Sequence, residues 1–443
     1  MKVNPISVNP ISGFPEWLPN LKLAEQRIIN SIREQYELFG FTPIETAAVE
    51  RMEVLKAKGG EDAHKQIFSL SNADDAGSSL GLHFDLTVPI SRYVTQHCEE
   101  LIFPFRRYQI QKVWRGEKAQ KGRFREFYQC DIDIIGRNIL DLIHDAEIPV
   151  IINLVFEKLG LNGYKIHISN RKVLAAFLLA IGVIEAESDN IIKIIDTLPN
   201  DGKETVVERI LAKGLTDAQV TKVFDFLSCI SIEQAKQSMV DVNADLVGID
   251  ELDQVVSNAI ILGMPKEKLI LDLTIARGLD YYTGTIYETF LDGKKDWGSI
   301  CSGGRFDTLA SYFSTHKFPG VGVSIGLTRL FKMMVDSGMV DVSETTPTRV
   351  LVTCQDRQKY LSSYLGLAKT LRTAGVPTEV YFNHDSLREQ IGYASSKGIR
   401  FAIIAGDTEF DNDTVMLKDL LRKSQEQVTG DSMVCTIKRK LEA

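Results

Sequence analysis

One hairpin constrains this chain more than any other stretch of it. Residues 105–135 read as strand, polar turn, strand: Phe105 to Trp114, a loop from Gly116 to Gly122, then Phe124 to Ile135. Side chains on a strand point alternately to opposite faces. Phe127, Gln129, Asp131 and Asp133 therefore share one face of the second strand, and Tyr128, Cys130, Ile132 and Ile134 share the other. One face is apolar and the other polar and acidic. That is an unusual face for a strand inside a core, and it predicts a lined cavity.

The same hairpin reverses the local sign of charge. The chain carries 51 basic and 59 acidic residues, a net −8. Yet Arg106, Arg107, Lys112, Arg115, Lys118, Lys121, Arg123 and Arg125 fall between Phe103 and Arg125 against the single acid Glu117. A planar guanidinium grips phosphate oxygens with two parallel hydrogen bonds. A loop rich in them is a candidate clamp for a triphosphate or an RNA backbone. Charge alone is equally the mark of a solvated turn; the polar strand face beside it favours the clamp.

Three other stretches carry candidate chemistry. His83-Phe84-Asp85-Leu86-Thr87-Val88-Pro89 sets Asp85 just before an expected helix start, where a carboxylate caps a helix or binds a substrate ammonium. Thr274 to Gly284 contains Arg277 on an expected strand, followed by Tyr281 and Tyr282 and flanked by glycines. It reads as a ligand-facing strand or as an edge strand with aromatic packing. Gly320-Val321-Gly322-Val323-Ser324-Ile325-Gly326 is a strand of small residues that lets a flat ligand or another element approach closely, with Arg329 at the start of the next helix. It is no P-loop, because no Gly-Lys-Ser/Thr follows.

Around these stretches the chain organises itself. Residues 3–7 and 8–12 repeat Val-Asn-Pro-Ile-Ser, and their prolines predict an extended arm. Ile28, Ile29, Ile32 and Tyr36 form one helical stripe between Leu21 and Phe39, ended by Gly40 and an extended segment at 41–45. Residues 139–160 are expected to form an amphipathic helix and 164–169 a strand. From 170 to 266 the signals are helical. Strand character returns at 269–274 and 281–290, and a helix is expected over 327–334. Ser343 to Thr348 is a polar linker. Beyond it the order is strand, helix, strand, helix, strand, then a hairpin and a helix, which predicts a small α/β domain with a mainly parallel sheet. That tail holds 14 basic and 12 acidic residues over 346–443, mild support for a polyanionic partner.

Taken together, the stretches resemble the class II aminoacyl-tRNA synthetases, the histidyl-tRNA synthetase family in particular. Trp114-Arg115-Gly116-Glu117 through Arg123-Phe124-Arg125-Glu126-Phe127 is similar to the second signature motif of the class, Gly320 to Arg329 to the third, and Phe41-Thr42-Pro43 to the first. Residues 276–284 resemble a histidine-specific signature. The resemblance covers nearly the whole chain and is weakest over 170–266.

It implies an α+β fold: an antiparallel-sheet catalytic core (1–169 and 267–342) with a helical insertion (170–266) and a C-terminal α/β anticodon-binding domain (346–443). It also implies roles. Arg115 and Glu117 would hold ATP, helped by Arg123. Phe127 would stack on the adenine, with Arg329 on its other side. Asp85, Gln129 and Thr87 would bind the α-ammonium of histidine. Asp133 and Tyr282 would read its imidazole, with Tyr281 nearby. Arg277 would act at the α-phosphate and the histidine carboxylate, and Arg115 would also face the amino acid. Many members carry glutamate at the positions of Asp85 and Asp133, so here the pocket wall retreats by about one methylene. ATP with Mg2+, L-histidine and tRNA(His) are the implied ligands, with no protein-only metal cage. Pro43 would lie at the interface of a homodimer.

Two rivals remain from the same resemblance. One is a non-catalytic paralogue serving as regulatory subunit of ATP phosphoribosyltransferase, which typically lacks the tail. The other is a synthetase for threonine, proline or glycine. From a different class comes an RNA-binding module built on an inactive synthetase domain. The six cysteines are scattered with no CxxC pair, against a structural zinc site or disulfide framework. No apolar run approaches the roughly 20 residues of a membrane span, and the N-terminus lacks the layout of a secretory or transit signal. Both point to a cytoplasmic protein.

Overall fold

A computed structural model describes residues 7–57, 65–71, 80–275 and 282–442. The chain divides into two compact units, one of residues 1–16 and 28–337, the other of residues 17–27 and 338–443.

The first unit is built on an eight-stranded sheet. Its strands, counted in chain order with β2 to β4 left to a separate sheet, are β1 (Thr42–Pro43), β5 (Phe105–Trp114), β6 (Glu126–Ile135), β7 (Tyr164–Asn170), β8 (Leu269–Leu271), β9 (Thr285–Leu291), β10 (Cys301–Phe306) and β11 (Gly320–Gly326). They lie in the order β1-β5-β6-β11-β10-β9-β7-β8. The six central strands are antiparallel, and β1 and β8 add parallel edges. The strands β2 (Val49–Arg51), β3 (Ser69–Leu70) and β4 (Leu80–Leu82) form a small separate sheet.

The register of β5, β6 and β11 gives the large sheet two chemically opposite faces. On one, Arg107 stands opposite Asp133, Gln109 opposite Asp131, Gln111 opposite Gln129 and Val113 opposite Phe127. Gly322, Ser324 and Gly326 continue that face on β11. On the other, Cys130, Ile132 and Ile134 are fully buried. The helix Ile143–Lys158 was expected to be amphipathic. Instead ten of its sixteen residues are buried, because its neighbours cover it widely. It contributes Asp145, which pairs with the buried Arg305 of β10 at 3.1 Å. An unpaired charge there would be strongly destabilising.

Between β7 and β8 the described chain is helical: Arg171–Ala180, Glu185–Ile195, Leu198–Ala212, Asp217–Leu227, Ile232–Asp241 and Val247–Ile261. Sequence dictates several of these starts. Thr216 and Gln219 close a reciprocal capping box, and Ser231 caps the next helix through Gln234 N. Phe177 and Phe226 stack face to face, centroids 3.9 Å apart. The strand expected over 281–290 begins only at Thr285, and the one expected over 269–274 ends at Leu271, where Asp272 accepts from Thr274 N and Oγ1 and from His167.

The second unit carries a five-stranded sheet of β12 (Val350–Val352), β13 (Thr378–Val380), β14 (Phe401–Ile404), β15 (Thr414–Asp419) and β16 (Ser424–Thr429), ordered β13-β12-β14-β15-β16. Only the first three strands are parallel; β15 and β16 add an antiparallel hairpin. The sheet is thus mixed rather than mainly parallel. Val350, Val352, Leu371, Phe401, Ile403 and Ile437 fill its core. Among the described residues, no helix is long and apolar enough to cross a membrane.

Candidate active site

The polar face of β6 and β11, with Cys301 and Ser302 of β10, lines a cleft. Arg115, Glu117, Arg123, Phe127, Gln129 and Arg329 all line it, with Ser324 and Gly326 of β11. Six side chains singled out from separate stretches of sequence therefore meet at one place. The Arg115 guanidinium lies 5.1 Å from the Phe127 ring centroid, and Arg115 Nε donates to Phe84 O at 3.0 Å. Arg329, the third residue of the helix Leu327–Asp336, reaches back across the cleft. Its Nε donates to Gly122 O at 2.8 Å and its Nη1 to Ser299 O at 2.7 Å. Arg123 lies 3.6 Å from Glu117. Burial, together with the charges of Arg123 and Arg115, lowers the affinity of Arg329 for its proton. Three guanidiniums against one carboxylate make a site for an anion with several oxygens.

Next to the cleft lies a buried acidic cluster. Asp85 is 2 % exposed, Asp131 2 % and Asp133 4 %. Asp85 caps the helix Thr87–Gln96, its Oδ1 accepting from Val88 N at 3.2 Å. Its Oδ2 has no hydrogen-bond partner among the described residues, nor do Asp131 Oδ1 and Gln129 Oε1. The capping and substrate-binding readings of Asp85 are thus compatible: one oxygen caps and the other is free. Burial pushes the Asp85 carboxyl up to about 7, against the pull of Val88 N and Arg115. Burial likewise lifts Asp131 to about 6 and Asp133 to about 7, with Arg107 the main opposing charge on both. Gln129 Nε2 donates to Ser324 Oγ at 2.5 Å.

A glycine at 322 is a condition of this layout. A Cβ there would overlap the Asp133 carboxylate and Ile132 O. Thr87 is the first residue of its helix and partly buried. Tyr282 is partly buried, with its ring against Gly304 of β10 and the apolar cluster of Ile90, Phe105 and Phe306. Arg277 and Tyr281 lie outside the described residues.

Two residues of the site stand in the sequence reading without a role of their own. Arg107 is fully buried and ion-paired to Asp133. Asp131 stands on the same face as Asp133, as strand alternation requires. Asp131 was visible in that alternation. Arg107 was visible only through the hairpin register, which depends on where the turn closes.

The chain is similar to known proteins over nearly its whole length. Residues 13–330 match the family model described as histidyl-tRNA synthetase, and residues 349–440 match that of an anticodon binding domain. The histidine–tRNA ligase of Stenotrophomonas maltophilia (strain K279a) is 41% identical over 452 residues, covering 97% of both chains. That of Xylella fastidiosa (strain M23) is 40% identical over 455 residues, again covering 97% of each. The crystal structure of histidyl-tRNA synthetase from Nostoc sp. PCC 7120 superposes with a TM-score of 0.87 at 38% identity, over 98% of this chain and 100% of that one. A Bacillus halodurans C protein titled ATP phosphoribosyltransferase regulatory subunit/histidyl-tRNA synthetase shares the fold, with a TM-score of 0.74 at 20% identity. With a family model spanning the catalytic unit and relatives matched from end to end, the chain belongs to the histidyl-tRNA synthetase family.

Proposed function

We propose that the chain is an ATP-dependent histidine–tRNA ligase, which joins L-histidine to AMP and passes the histidyl group to the 3′ end of tRNA(His). The observation that carries this reading is one cleft holding Arg115, Arg123, Arg329 and Phe127 beside the buried carboxylates Asp85 and Asp133. A cation-lined, aromatic-floored cleft suits a nucleoside triphosphate, brought in with Mg2+. A buried acidic cluster suits an ammonium group and an N–H-bearing ring.

The chemistry asks little of the protein in covalent terms. A histidine carboxylate oxygen attacks the α-phosphorus, the bond to the bridging oxygen breaks, and pyrophosphate leaves. Two anions must meet, so catalysis reduces to positioning and fixed positive charge. Arg115 and Arg329 supply that charge along the nucleotide, with Phe127 under the adenine. Arg277, by the family resemblance, supplies it at the α-phosphate. Asp85 Oδ2 and Gln129 Oε1, both without a hydrogen-bond partner among the described residues, would accept from the α-ammonium, with Thr87 beside them. Asp133 would accept from an imidazole N–H, and by the family resemblance Tyr282 would help read the ring, with Tyr281 assigned nearby. An amino acid without that N–H would forfeit its contact with Asp133, a loss of about 10⁴-fold in sites of this kind.

The tail, 346–443, would read the anticodon. Exposed Phe382 near Arg357 and Tyr393 near Lys397 offer stacking surfaces beside charge. The helices of 170–266 would form an insertion in the catalytic core. The exposed edge of β1, Thr42–Pro43, supports a homodimer; a particle of 49.6 kDa in solution would remove that part. Such an enzyme works where translation does, in the cytoplasm. The match over 349–440 and the full-length ligase relatives favour this reading over the regulatory paralogue.

Amino-acid-dependent pyrophosphate exchange tests it. Histidine alone should support exchange, and Arg277→Ala should abolish it with the fold intact. Exchange with another amino acid, or none with any, would overturn the assignment.

A further inference from the structure

Among the fully buried side chains the largest is Arg107, a charged residue with no part in the roles assigned so far. It sits on β5 directly opposite Asp133 of β6, and its Nη2 is ion-paired to Asp133 Oδ2. A chain of amides fixes it from behind. Arg107 Nη1 donates to Gln109 Oε1 at 3.3 Å; Gln109 Nε2 donates to Thr46 Oγ1 at 3.0 Å and to Gln111 Oε1 at 2.6 Å; Gln111 Nε2 donates to Thr46 O at 2.9 Å. On the far side of Asp133, β11 contributes Gly322 and Ser324 and no charge. Among the described residues, the charges that act on Asp133 are Arg107 from β5, Asp131 from its own strand and Asp85 from the segment before the helix Thr87–Gln96. Two are negative. Arg107 is the favourable one of these three.

Taking a guanidinium wholly out of water is expensive, and apolar pairs commonly serve stability as well or better. A placement purely for stability explains this one poorly. We propose that Arg107 is a positioning residue for histidine: it keeps Asp133 ionised and turned so that its carboxylate remains an acceptor for the imidazole N–H. This deepens the reading in which Asp133 receives the imidazole, and rests on it. Burial and two neighbouring carboxylates press Asp133 towards its neutral form, which could donate a proton where the ring also offers one. Arg107 opposes that. A guanidinium suits the task because it stays charged across the working pH range.

The test is histidine-dependent pyrophosphate exchange from pH of about 6 to about 9, with KM determined separately for histidine and ATP. Arg107→Met should raise the histidine KM about tenfold or more near neutral pH and leave the ATP KM within about twofold. The defect should shrink towards about pH 9, where Asp133 ionises without help. Arg107→Lys restores the charge but not the fork, and should return the pH midpoint to near the wild-type value with a residual rise in KM. A pH-independent defect in Arg107→Met, or ATP and histidine KM rising together, would assign Arg107 to holding the sheet and overturn the proposal. If Arg107→Met does not fold, Arg107→Lys decides: a midpoint displaced upward by about one unit despite the retained charge overturns it. Asp133→Asn separates this inference from the reading beneath it. An unchanged histidine KM in Asp133→Asn sinks both. A raised KM there with a normal Arg107→Met sinks this inference alone.

Discussion

Asp85, Asp131 and Asp133 are each at least 96 % buried, with Arg107 and Arg115 the counter-charges that act on them among the described residues. The carboxyls rise from the ordinary 3.8 to about 7, 6 and 7 because burial penalises their ionised forms. The folded enzyme therefore binds protons more tightly than the unfolded chain. Stability from this source is fully present below the ordinary carboxylate value and is lost as pH rises through the folded values. Free enzyme should thus lose thermal stability between about pH 4 and about pH 7 where these groups dominate. A bound ammonium favours the ionised forms, so it should restore what ionisation removed. The rise in Tm on saturation with histidine should be larger at about pH 8 than at about pH 5.5. A histidine-induced rise that is flat across that range, or larger on the acid side, would argue that these carboxylates do not face the ligand.

At the scale of elements, the hairpin that dominates the sequence is also the best-supported piece of the site. Gly13 O accepts from Arg125 N at 2.7 Å and from Glu126 N at 3.2 Å, at the foot of β6. The Arg125 guanidinium lies against the rings of both Phe14 and Phe68, 5.7 and 5.0 Å from their centroids. Gly13 has φ of 85°, a backbone that glycine adopts without strain, and any Cβ there would strike Arg125. Arg125, counted by charge as a clamp residue, is instead an anchor, and the arm 7–16 straps the base of the loop. A cation–π contact of this kind is worth about 0.5–2 kcal/mol. Phe14→Ala should accordingly raise the ATP KM by a few-fold, roughly the effect of about 1 kcal/mol, with the histidine KM nearly unchanged. Faster proteolysis of residues 116–123 should accompany it. Unaltered ATP KM and unaltered cleavage would mean that the loop holds itself.

These two scales also show what could be read from sequence. β5 begins and ends where alternation puts it, and the acidic face of β6 is present, because period-two patterning on a long strand is a direct image of its geometry. The helix Ile143–Lys158 was misjudged as amphipathic, since an apolar surround is invisible to a helix read alone. The tail sheet was read as mainly parallel because its alternation of strand and helix outweighed the closing hairpin. Arg107 was counted among the clamp arginines; only the pairing of β5 with β6 turns it towards Asp133. What local pattern determines was legible, and what register determines was not.

On the scale of the whole molecule, the division of labour follows from the two units. The described residues of the cleft and of the acidic cluster belong to the first unit. The second has its own core and its own sheet. On the proposed reading, adenylate formation draws on the first unit. Charging adds the grip on tRNA, for which the second unit carries less negative charge and exposed rings beside cations. Removing 346–443 should therefore leave pyrophosphate exchange within a few-fold of the full chain. Aminoacylation of tRNA(His) should drop by about a hundredfold, as the loss of roughly 3 kcal/mol of binding implies. Exchange by the truncated chain doubles as the control that its catalytic unit still folds. If charging kinetics are unchanged while exchange persists, the tail contributes nothing to tRNA selection and its assigned role is wrong.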